Sequence, residues 1–316
     1  MPHRIGDDGA DVRNMAGDGR RGRLRTMSAM SAPTELAPLP RSLLEKAVAD
    51  ALAEDLGLVG DITTNATIPA DATARALLRA RRPGVVSGLE IARSAFHALD
   101  PALAFEAVCA DGAHVLPGDT LAKISGNARA ILSAERVALN FMGRMSGIAT
   151  LTRAYVDAVS GTKAAIVDTR KTTPLLRAFE KYAVRCGGGR NHRIGLYDAV
   201  LIKDNHIVAA GGIGKAIAAA RAIAGHMVKI EVEVDTLEQL KAVLTHRVDA
   251  VLLDNMSPAT LREAIAMVAG RALTEASGGV NLETVRAIAE TGVDLISVGA
   301  LTHSAPVLDL GLDFIE

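Results

Sequence analysis

The hydrophobic positions of the first part of the chain switch between helical and strand periodicity. Leu43, Leu44, Ala47, Val48 and Ala51 recur at helical spacing, and a turn-rich stretch over 57–64 follows. The other elements predicted here are a strand over 74–81, a helix over 90–99, a hairpin of short strands over 112–126 around Pro117-Gly118-Asp119, and a long helix over 133–160. Residues 40–160 are therefore predicted to form a first domain, an α+β layer.

From residue 161 onwards the pattern repeats a strand followed by a helix or a turn. Six short segments, most of them rich in β-branched residues, are predicted strands: 164–169, 199–203, 229–234, 250–253, 272–276 and 295–298. Helices are predicted over 236–245, 258–269 and 282–291, and another has Pro174 in its first turn and ends at the glycines 187–189. The alternation is typical of a parallel sheet covered by helices. It predicts a second domain over 161–316, from which C-terminal residues can pack back onto the first.

Polar residues at the strand ends help to choose between a barrel and an open doubly wound sheet, which the repeat alone leaves open. The carboxyl ends of the six predicted strands carry, in order, Arg170 and Lys171, Lys203 and Asp204, Glu233, Asp254, Ser277-Gly278-Gly279, and Gly299-Ala300. Barrels assemble their active sites at this edge and often hold phosphate in the loops after the last two strands. The distribution favours a (βα) barrel.

Composition excludes several classes of protein. The chain has 316 residues and a formal net charge of -1, with Trp 0, Tyr 3 and Phe 5, so it lacks the basic field and the stacking platforms of a nucleic-acid-binding protein. No apolar run reaches the ~20 residues needed to span a bilayer. Cys109 and Cys186 have neither CxxC spacing nor a disulfide framework, which fits a reducing cytosol and predicts a cytoplasmic location.

Residues 1–39 differ from the rest of the chain. They mix Arg20, Arg21, Arg23 and Arg25 with several aspartates and show no apolar periodicity. This composition predicts a disordered tail. The acidic residues argue against a transit peptide, and the absence of an apolar block argues against a secretory signal.

Cations are concentrated between residues 168 and 206. The stretch contains eight lysines and arginines against four acids: Arg170, Lys171, Arg177, Lys181, Arg185, Arg190, Arg193 and Lys203 against Asp168, Glu180, Asp198 and Asp204. Arginine matches carboxylate and phosphate oxygens two at a time. A ligand with several carboxylates or phosphates is therefore predicted. Arg177, Glu180 and Lys181 also fall at helical spacing, so part of this charge can be a solvated helix face.

Acidic residues on two strands have both a structural and a functional interpretation. Glu231 and Glu233 point to one face of a strand that should be buried, so each needs a cation or metal nearby. Glu233 and Asp254 on adjacent strand ends suit Mg²⁺, although such a pair is not specific for a metal.

Histidine and lysine residues leave further alternatives open. His192 and His206 lack the spacing of a helical zinc site, and His192 beside Arg193 is better placed to donate to an anion. Lys171 and Lys203 could form Schiff bases at strand ends. The glycines 278, 279 and 299 can be simple turns as well as a phosphate cradle.

Several blocks of the chain resemble one known family. They are Asp168-Thr-Arg-Lys-Thr-Thr-Pro, Lys181-Tyr-Ala-Val-Arg-Cys-Gly-Gly-Gly-Arg-Asn-His-Arg, Leu201-Ile-Lys-Asp-Asn-His, Glu231-Val-Glu-Val-Asp and Val298-Gly-Ala-Leu-Thr-His-Ser, together with Gly60-Asp-Ile-Thr-Thr and Glu135-Arg-Val-Ala-Leu-Asn. In this order they resemble quinolinate phosphoribosyltransferase, the carboxylating nicotinate-nucleotide pyrophosphorylase. The resemblance extends from about Leu43 to the C-terminus.

The resemblance implies an N-terminal α/β sandwich, then an incomplete six-stranded (βα) barrel, and a homodimer with shared active sites or a hexamer built from such dimers. It also implies that quinolinate and phosphoribosyl pyrophosphate react in the presence of Mg²⁺ and give nicotinate mononucleotide, pyrophosphate and CO2. The substrate-binding residues implied are Arg136 from the neighbouring subunit, Thr169, Arg170, Lys171, His192, Arg193, Lys203, Glu233, Asp254, Ser277, Gly278 and Gly299. Lys171, Lys203, Glu233 and Asp254 would be catalytic, and the last two would serve the metal.

Two other classes of function remain open at the level of sequence. A Schiff-base aldolase on the same barrel would form a borohydride-trappable adduct at Lys171 or Lys203. A non-catalytic sensor of nicotinate precursors would keep the arginines without forming product.

Overall fold

The computed structural model describes residues 36–316, so the predicted disordered tail over 1–39 lies almost entirely outside the described residues. The first part of the described chain contains, in order, α1 (Arg41–Leu56), α2 (Ile62–Thr67), β1 (Thr73–Ala80), β2 (Gly84–Val85), α3 (Leu89–Leu99), β3 (Ala104–Ala107), β4 (His114–Val115), β5 (Thr120–Asn127) and α4 (Ala128–Ala158). The helices predicted over 90–99 and 133–160 and the strand over 74–81 match α3, α4 and β1 closely. The stretch predicted as turns over 57–64 also contains the start of α2.

The second part carries the strand–helix repeat. Its elements are β6 (Ala165–Val167), α5 (Arg177–Cys186), β7 (Val200–Ile202), α6 (Asp204–Ala209), α7 (Ile213–Ile223), β8 (Ile230–Val234), α8 (Leu237–Val243), β9 (Ala250–Asp254), α9 (Pro258–Val268), β10 (Leu273–Ser277), α10 (Val285–Ala289), β11 (Leu295–Ser297), α11 (Ala300–His303) and β12 (Leu310–Ile315). All six predicted strands are present. None of the helices within residues 36–316 is long and apolar enough to cross a membrane.

A four-stranded antiparallel sheet forms the sandwich of the first part, in the order β12-β1-β5-β3. Ala76, Leu78 and Ala80 of β1 are buried at alternate positions, as expected for a strand with one face on a core. The C-terminal strand β12 pairs with β1, so the end of the chain returns to this sheet. It crosses α4 closely, because a Cβ on Gly147 would lie only 2.0 Å from the backbone oxygen of Pro306.

The hairpin predicted over 112–126 is wrong. The Pro117-Gly118-Asp119 turn does join two strands, but β4 pairs with β2 and β5 pairs with β1 and β3. Turn residues indicate where the chain reverses, whereas strand pairing depends on which apolar faces meet in the folded protein.

The second sheet has six strands in the order β6-β11-β10-β9-β8-β7, and the pairs within it are parallel. Its edge strands β6 and β7 do not pair with each other; Val167 of β6 instead forms a bridge with Arg190. The α/β fold, a sandwich followed by an incomplete six-stranded barrel, is therefore confirmed. Pro174 was wrongly predicted to lie in the first turn of a helix, because α5 begins at Arg177.

Alternation along β8 shows which face of this sheet carries the acidic residues. Ile230, Val232 and Val234 are almost fully buried and share a core with Leu240 and Val243 of α8. The acidic residues between them project to the opposite face, away from the covering helices. The register places this face in line across the sheet: Leu201 with Glu231, Glu231 with Ala250, Leu252 with Glu275, and Asp254 with Ser277.

Candidate active site

A buried ion pair stabilises the cation-rich loop that follows α5. Asp168, directly after β6, accepts from Lys181 Nζ of α5, from Asn191 Nδ2 at 2.6 Å and from the backbone N–H of His192 at 2.8 Å. Lys181 Nζ also donates to the backbone oxygen of His192 at 3.0 Å. Burial raises the pKa of Asp168 and lowers that of Lys181, and their mutual attraction opposes both shifts. These contacts fix the loop that carries His192 and Arg193.

A second buried pair changes the interpretation of α5. Glu180 has no exposed surface and accepts from Arg144 Nη2 of α4 at 2.7 Å and from Thr173 Oγ1 at 2.8 Å. The prediction that Glu180 and Lys181 belong to a solvated helix face is therefore wrong. Their spacing on one helix is compatible with local pairing, but both find partners on other elements.

Arg170 and Arg193 bring two positive charges to the barrel edge, and the charge of Arg170 acts on Arg193. The pKa of Arg193 is lowered, first by burial and then by the charge of Arg170. Arg193 Nη1 donates to the backbone oxygen of Ala199 at 3.3 Å, whereas the buried Nε of Arg170 has no hydrogen-bond partner among residues 36–316. Two neighbouring guanidinium groups repel each other unless an anion lies between them. The arrangement is suited to a ligand with adjacent carboxylates.

Lys203 and Glu233 meet across adjacent strands. Lys203 follows β7, and its Nζ donates to Glu233 Oε2 on β8. The side chain of Lys203 is 45% exposed and that of Glu233 is 15% exposed, so the pair borders open space. Asp254, at the end of β9, accepts from Asn255 Nδ2 at 2.6 Å. The cation expected beside Glu233 is thus a lysine.

Two glycine loops lie at the ends of β10 and β11, as predicted. Gly278 has φ +90°, and a Cβ on it would lie 2.1 Å from Asn255 Oδ1, so no side chain fits at this position. Ser277 accepts the backbone N–H of Asn255 at 2.9 Å through its carbonyl. At the next loop, a Cβ on Gly299 would lie 3.1 Å from Cδ of Lys171. Lys171 therefore passes directly over Gly299.

His192 makes contacts that its sequence position does not reveal. Its Nε2 lies 2.9 Å from Glu231 Oε2 and 3.7 Å from Glu275 Oε2, and its Nδ1 accepts the backbone N–H of Arg193 at 2.8 Å. Burial lowers the pKa of His192, but the hydrogen bond that His192 donates to Glu231 and the charges of both glutamates outweigh this effect and raise the pKa. Within residues 36–316, these three side chains also form the one group of three or more potential ligands close enough to share a metal ion.

Glu275 is the residue of this cluster that sequence reasoning missed. Its side chain is 1% exposed, and burial together with the charge of Glu231 raises its pKa to about 7. It lies inside the predicted strand over 272–276, where a single carboxylate in an apolar segment has no local partner. The available signal was a carboxylate on the same face of the sheet as Glu231, although on a different strand. Only the order of the strands in the sheet shows that Glu231 and Glu275 lie close together.

Two family models match this chain. The family model described as "Quinolinate phosphoribosyl transferase, N-terminal domain" matches residues 61–146, and that of the C-terminal domain matches residues 148–313. The chain belongs to the quinolinate phosphoribosyl transferase family.

Relatives of this family are similar over most of their length. The chain is 47% identical over 280 residues to the chloroplastic nicotinate-nucleotide pyrophosphorylase [carboxylating] of Arabidopsis thaliana, covering 83% of this chain and 80% of the relative. It is 47% identical over 268 residues to the nicotinate-nucleotide pyrophosphorylase [carboxylating] of Mycobacterium leprae, covering 83% of this chain and 94% of the relative. The crystal structure of NadC from Streptococcus pyogenes superposes with a TM-score of 0.85 at 41% identity, covering 89% of this chain and 100% of that chain.

The predicted site residues of this transferase family fall into two groups. Residues from all six strand ends lie along one edge of the barrel: Thr169, Arg170, Lys171, Lys203, Glu233, Asp254, Ser277, Gly278 and Gly299. His192 and Arg193 lie in the loop between α5 and β7, from which His192 contacts Glu231 of β8. Thr169 accepts the backbone N–H of Lys171 at 3.0 Å and so shapes the first loop. Arg136 is separate: it lies exposed on α4, and its side chain makes no hydrogen bond or ion pair with other residues of the described chain.

His303 is a further residue at this edge that was not assigned a role from sequence. Its Nε2 would lie 3.2 Å from a Cβ on Gly299, beside the Lys171 stem. It belongs to the Val298-to-Ser304 block, and its position four residues after Gly299 on a helix was the signal that it would face the same loop.

Proposed function

We infer that this chain catalyses the transfer of the phosphoribosyl group of phosphoribosyl pyrophosphate to quinolinate with decarboxylation, giving nicotinate mononucleotide, pyrophosphate and CO2 for NAD biosynthesis. The observation that supports it most strongly is the presence of Arg170 and Arg193 at the barrel edge, where the charge of one acts on the other; two such guanidinium groups suit the two adjacent carboxylates of quinolinate. Membership of the family supports the same reaction.

In the first half of the reaction the pyridine nitrogen forms a bond to the anomeric carbon, and the bond from that carbon to the pyrophosphate oxygen breaks. Both substrates are polyanions, so Arg170, Arg193 and Lys171 offset their repulsion and align them. Lys203, exposed at the barrel edge, is placed to stabilise charge on the departing pyrophosphate. The Gly278 and Gly299 loops would hold the 5′-phosphate, and Lys171 would contribute a charge beside Gly299.

In the second half the bond between the ring and the carboxylate next to the nitrogen breaks, and CO2 leaves. The electron pair stays on the ring carbon, where the quaternised nitrogen stabilises it, and a proton then replaces the lost group. Arginines that hold the second carboxylate keep the ring in place during this step. No lysine adduct is required.

Glu233 and Asp254 are proposed to hold Mg²⁺. Both are carboxylates on adjacent strands and one sheet face, and within the described chain each makes a side-chain hydrogen bond through only one of its oxygens. This donor set fits Mg²⁺, which takes one or two protein carboxylates with substrate oxygens and water. Bound there, the ion would neutralise charge on the pyrophosphate.

A cytoplasmic location is also part of the proposal. Both cysteines of the chain are free, and burial raises the pKa of Cys186 to about 12, so this thiol is a packing residue rather than a nucleophile. Some plant relatives carry the words chloroplastic or mitochondrial in their names.

One experiment separates this function from the alternatives. The protein is mixed with quinolinate, phosphoribosyl pyrophosphate and Mg²⁺, and CO2 and the mononucleotide are measured. Both products should form in equal amounts. A sensor would bind quinolinate and form neither, whereas an aldolase would form neither and would be trapped by borohydride on Lys171 or Lys203 with a carbonyl substrate.

Arg193→Ala should weaken quinolinate binding by roughly ten- to hundredfold, because one charge-assisted pair is worth about 1.5 to 3 kcal/mol. The affinity for a monocarboxylate such as nicotinate should fall less, since its carboxylate can still bind Arg170. Calorimetry on both ligands measures the two changes. Unaltered quinolinate affinity would remove Arg193 from the substrate site.

Glu233→Gln and Asp254→Asn should each lower turnover and raise the Mg²⁺ concentration needed for half-maximal rate, because each removes one negative charge from the proposed metal site. Both changes preserve side-chain shape, so thermal unfolding should stay close to that of the parent. Initial rates over a Mg²⁺ titration provide the test. A Mg²⁺ dependence that is unchanged in both variants would rule out the assignment.

A further inference from the structure

The contacts of His192 raise a question about how it takes part in quinolinate recognition. A histidine that binds the substrate directly needs a ring nitrogen that is free to donate a hydrogen bond. In the structure, Nδ1 accepts the backbone N–H of Arg193 at 2.8 Å, and Nε2 lies 2.9 Å from Glu231 Oε2. An N–H that points at Nδ1 selects the tautomer with its proton on Nε2, which then donates to Glu231. Both nitrogens are thereby used within the protein.

The backbone of the same residue is also tied down. The N–H of His192 donates to Asp168 at 2.8 Å, and its carbonyl accepts from Lys181 at 3.0 Å. The ring adds a third connection, because it bonds to Glu231 in the barrel interior through Nε2 and to the backbone N–H of Arg193 through Nδ1. The position of the Arg193 backbone therefore depends on where the His192 ring is held.

The two glutamates beneath the ring are costly to bury. The side chains of Glu231 and Glu275 are 11% and 1% exposed, and Oε1 of Glu275 has no hydrogen-bond partner within residues 36–316. Negative charge here also lies close to residues that are proposed to bind a dianion. Stability and simple Coulomb attraction would both favour neutral residues at these positions, which points to a positional role.

Resting on the proposed function, we propose that Glu231, supported by Glu275, is a positioning residue that acts through the His192 ring to hold Arg193 in place for the carboxylates of quinolinate. His192 is then part of the support of Arg193 rather than a direct ligand. The hydrogen bond from Nε2–H to Glu231 fixes the orientation of the His192 ring. Nδ1 of that ring then holds the backbone N–H of Arg193, and the position of this backbone determines where the guanidinium group of Arg193 can lie.

The test compares variants that separate the charge of Glu231 from its ability to accept a hydrogen bond. Glu231→Gln removes the charge but keeps an acceptor for Nε2–H. Glu231→Ala and Glu231→Leu remove both, and the leucine retains the side-chain volume, so a folded variant without the acceptor is available even if the alanine variant unfolds. Glu263→Gln, an exposed glutamate on α9, is the matched control.

Calorimetry with quinolinate should give about tenfold weaker binding for the Glu231→Leu and Glu231→Ala variants, and a change within about threefold for Glu231→Gln and Glu263→Gln. The KM for phosphoribosyl pyrophosphate should change less than about twofold in all of them. In an Arg193→Ala background, Glu231→Leu should have no further effect, because its action passes through Arg193.

Three results would overturn the proposal. If the two glutamates act only by their charge, Glu231→Gln and Glu231→Leu tighten quinolinate equally. If Glu231→Leu binds like the parent, or if its effect is the same with and without Arg193, the coupling through His192 is absent. A parent protein that does not convert quinolinate at all would instead reject the proposed function, and this is measured first.

Discussion

Lys181→Met should lower the free energy of unfolding by about 3 to 5 kcal/mol, because it leaves Asp168 as an uncompensated buried charge. Asp168 has no exposed surface, and Lys181 is its one ion-pair partner within the described chain. The remaining contacts, from Asn191 and the N–H of His192, are neutral hydrogen bonds and do not replace a cation. Equilibrium unfolding in urea at pH 7 measures the change.

The pH dependence of this loss provides a second readout. Burial already raises the pKa of Asp168, and removing Lys181 should raise it further. The acid is then protonated more readily in the folded than in the unfolded protein, so the destabilisation should shrink as the pH falls toward 5. The Asp168→Asn/Lys181→Met double variant should be more stable at pH 7 than Lys181→Met alone.

Lys241→Met is the matched control, since Lys241 is exposed on α8 and makes no ion pair within residues 36–316. Its effect should stay within about 0.5 kcal/mol of zero. A Lys181→Met variant that is no less stable than this control would show that the buried pair contributes nothing to the folded state.

Mixed dimers of two inactive variants should recover activity if Arg136 completes the site of the neighbouring subunit. Arg136 lies exposed on α4, away from the cations that follow the barrel strands, and it has no partner within the described residues. In a heterodimer of an Arg136→Ala chain with a Lys203→Ala chain, one shared site would contain both lesions and the other neither. Verified heterodimers should therefore show about half the activity of the parent dimer.

A pairing of two barrel variants is the control for this experiment. Lys203→Ala and Arg170→Ala both lie on strand ends of the same sheet, so each site of their heterodimer carries one lesion and no activity should return. Recovery in the first mixture alone assigns Arg136 to the partner's site. Inactive heterodimers in both mixtures, with every chain folded, would restrict Arg136 to a role within its own subunit.

Local pattern was sufficient for most of the secondary structure and for the edge of the barrel that carries the site. The strands around Ile230 to Val234 and Ala250 to Asp254 are short apolar segments with acids at alternate or terminal positions. Because parallel strands present their carboxyl ends at one edge, the residues that follow them are brought together whatever the exact strand order. The position of Arg170, Lys203, Glu233 and Asp254 at this edge was predictable for this reason.

Pairing across long separations was not predictable from local pattern. The hairpin over 112–126 was wrong because β4 and β5 join different sheets, and only the folded protein shows that the C-terminal residues return as a strand, β12, that pairs with β1. In both cases the decision depends on which surfaces are complementary in three dimensions, and this is not encoded by neighbouring residues.

Charged residues show the same division between sequence and tertiary structure. The sequence alone determined that cations collect between residues 168 and 206 and that acids lie on one face of β8, because composition and strand alternation are local properties. Only the tertiary structure decided what each charge does: Lys181 neutralises buried Asp168, Arg144 neutralises Glu180, and Glu275 lies near His192. The physical reason is that the cost of burying a charge is met by whichever partner folding brings within reach, and that partner can lie anywhere along the chain.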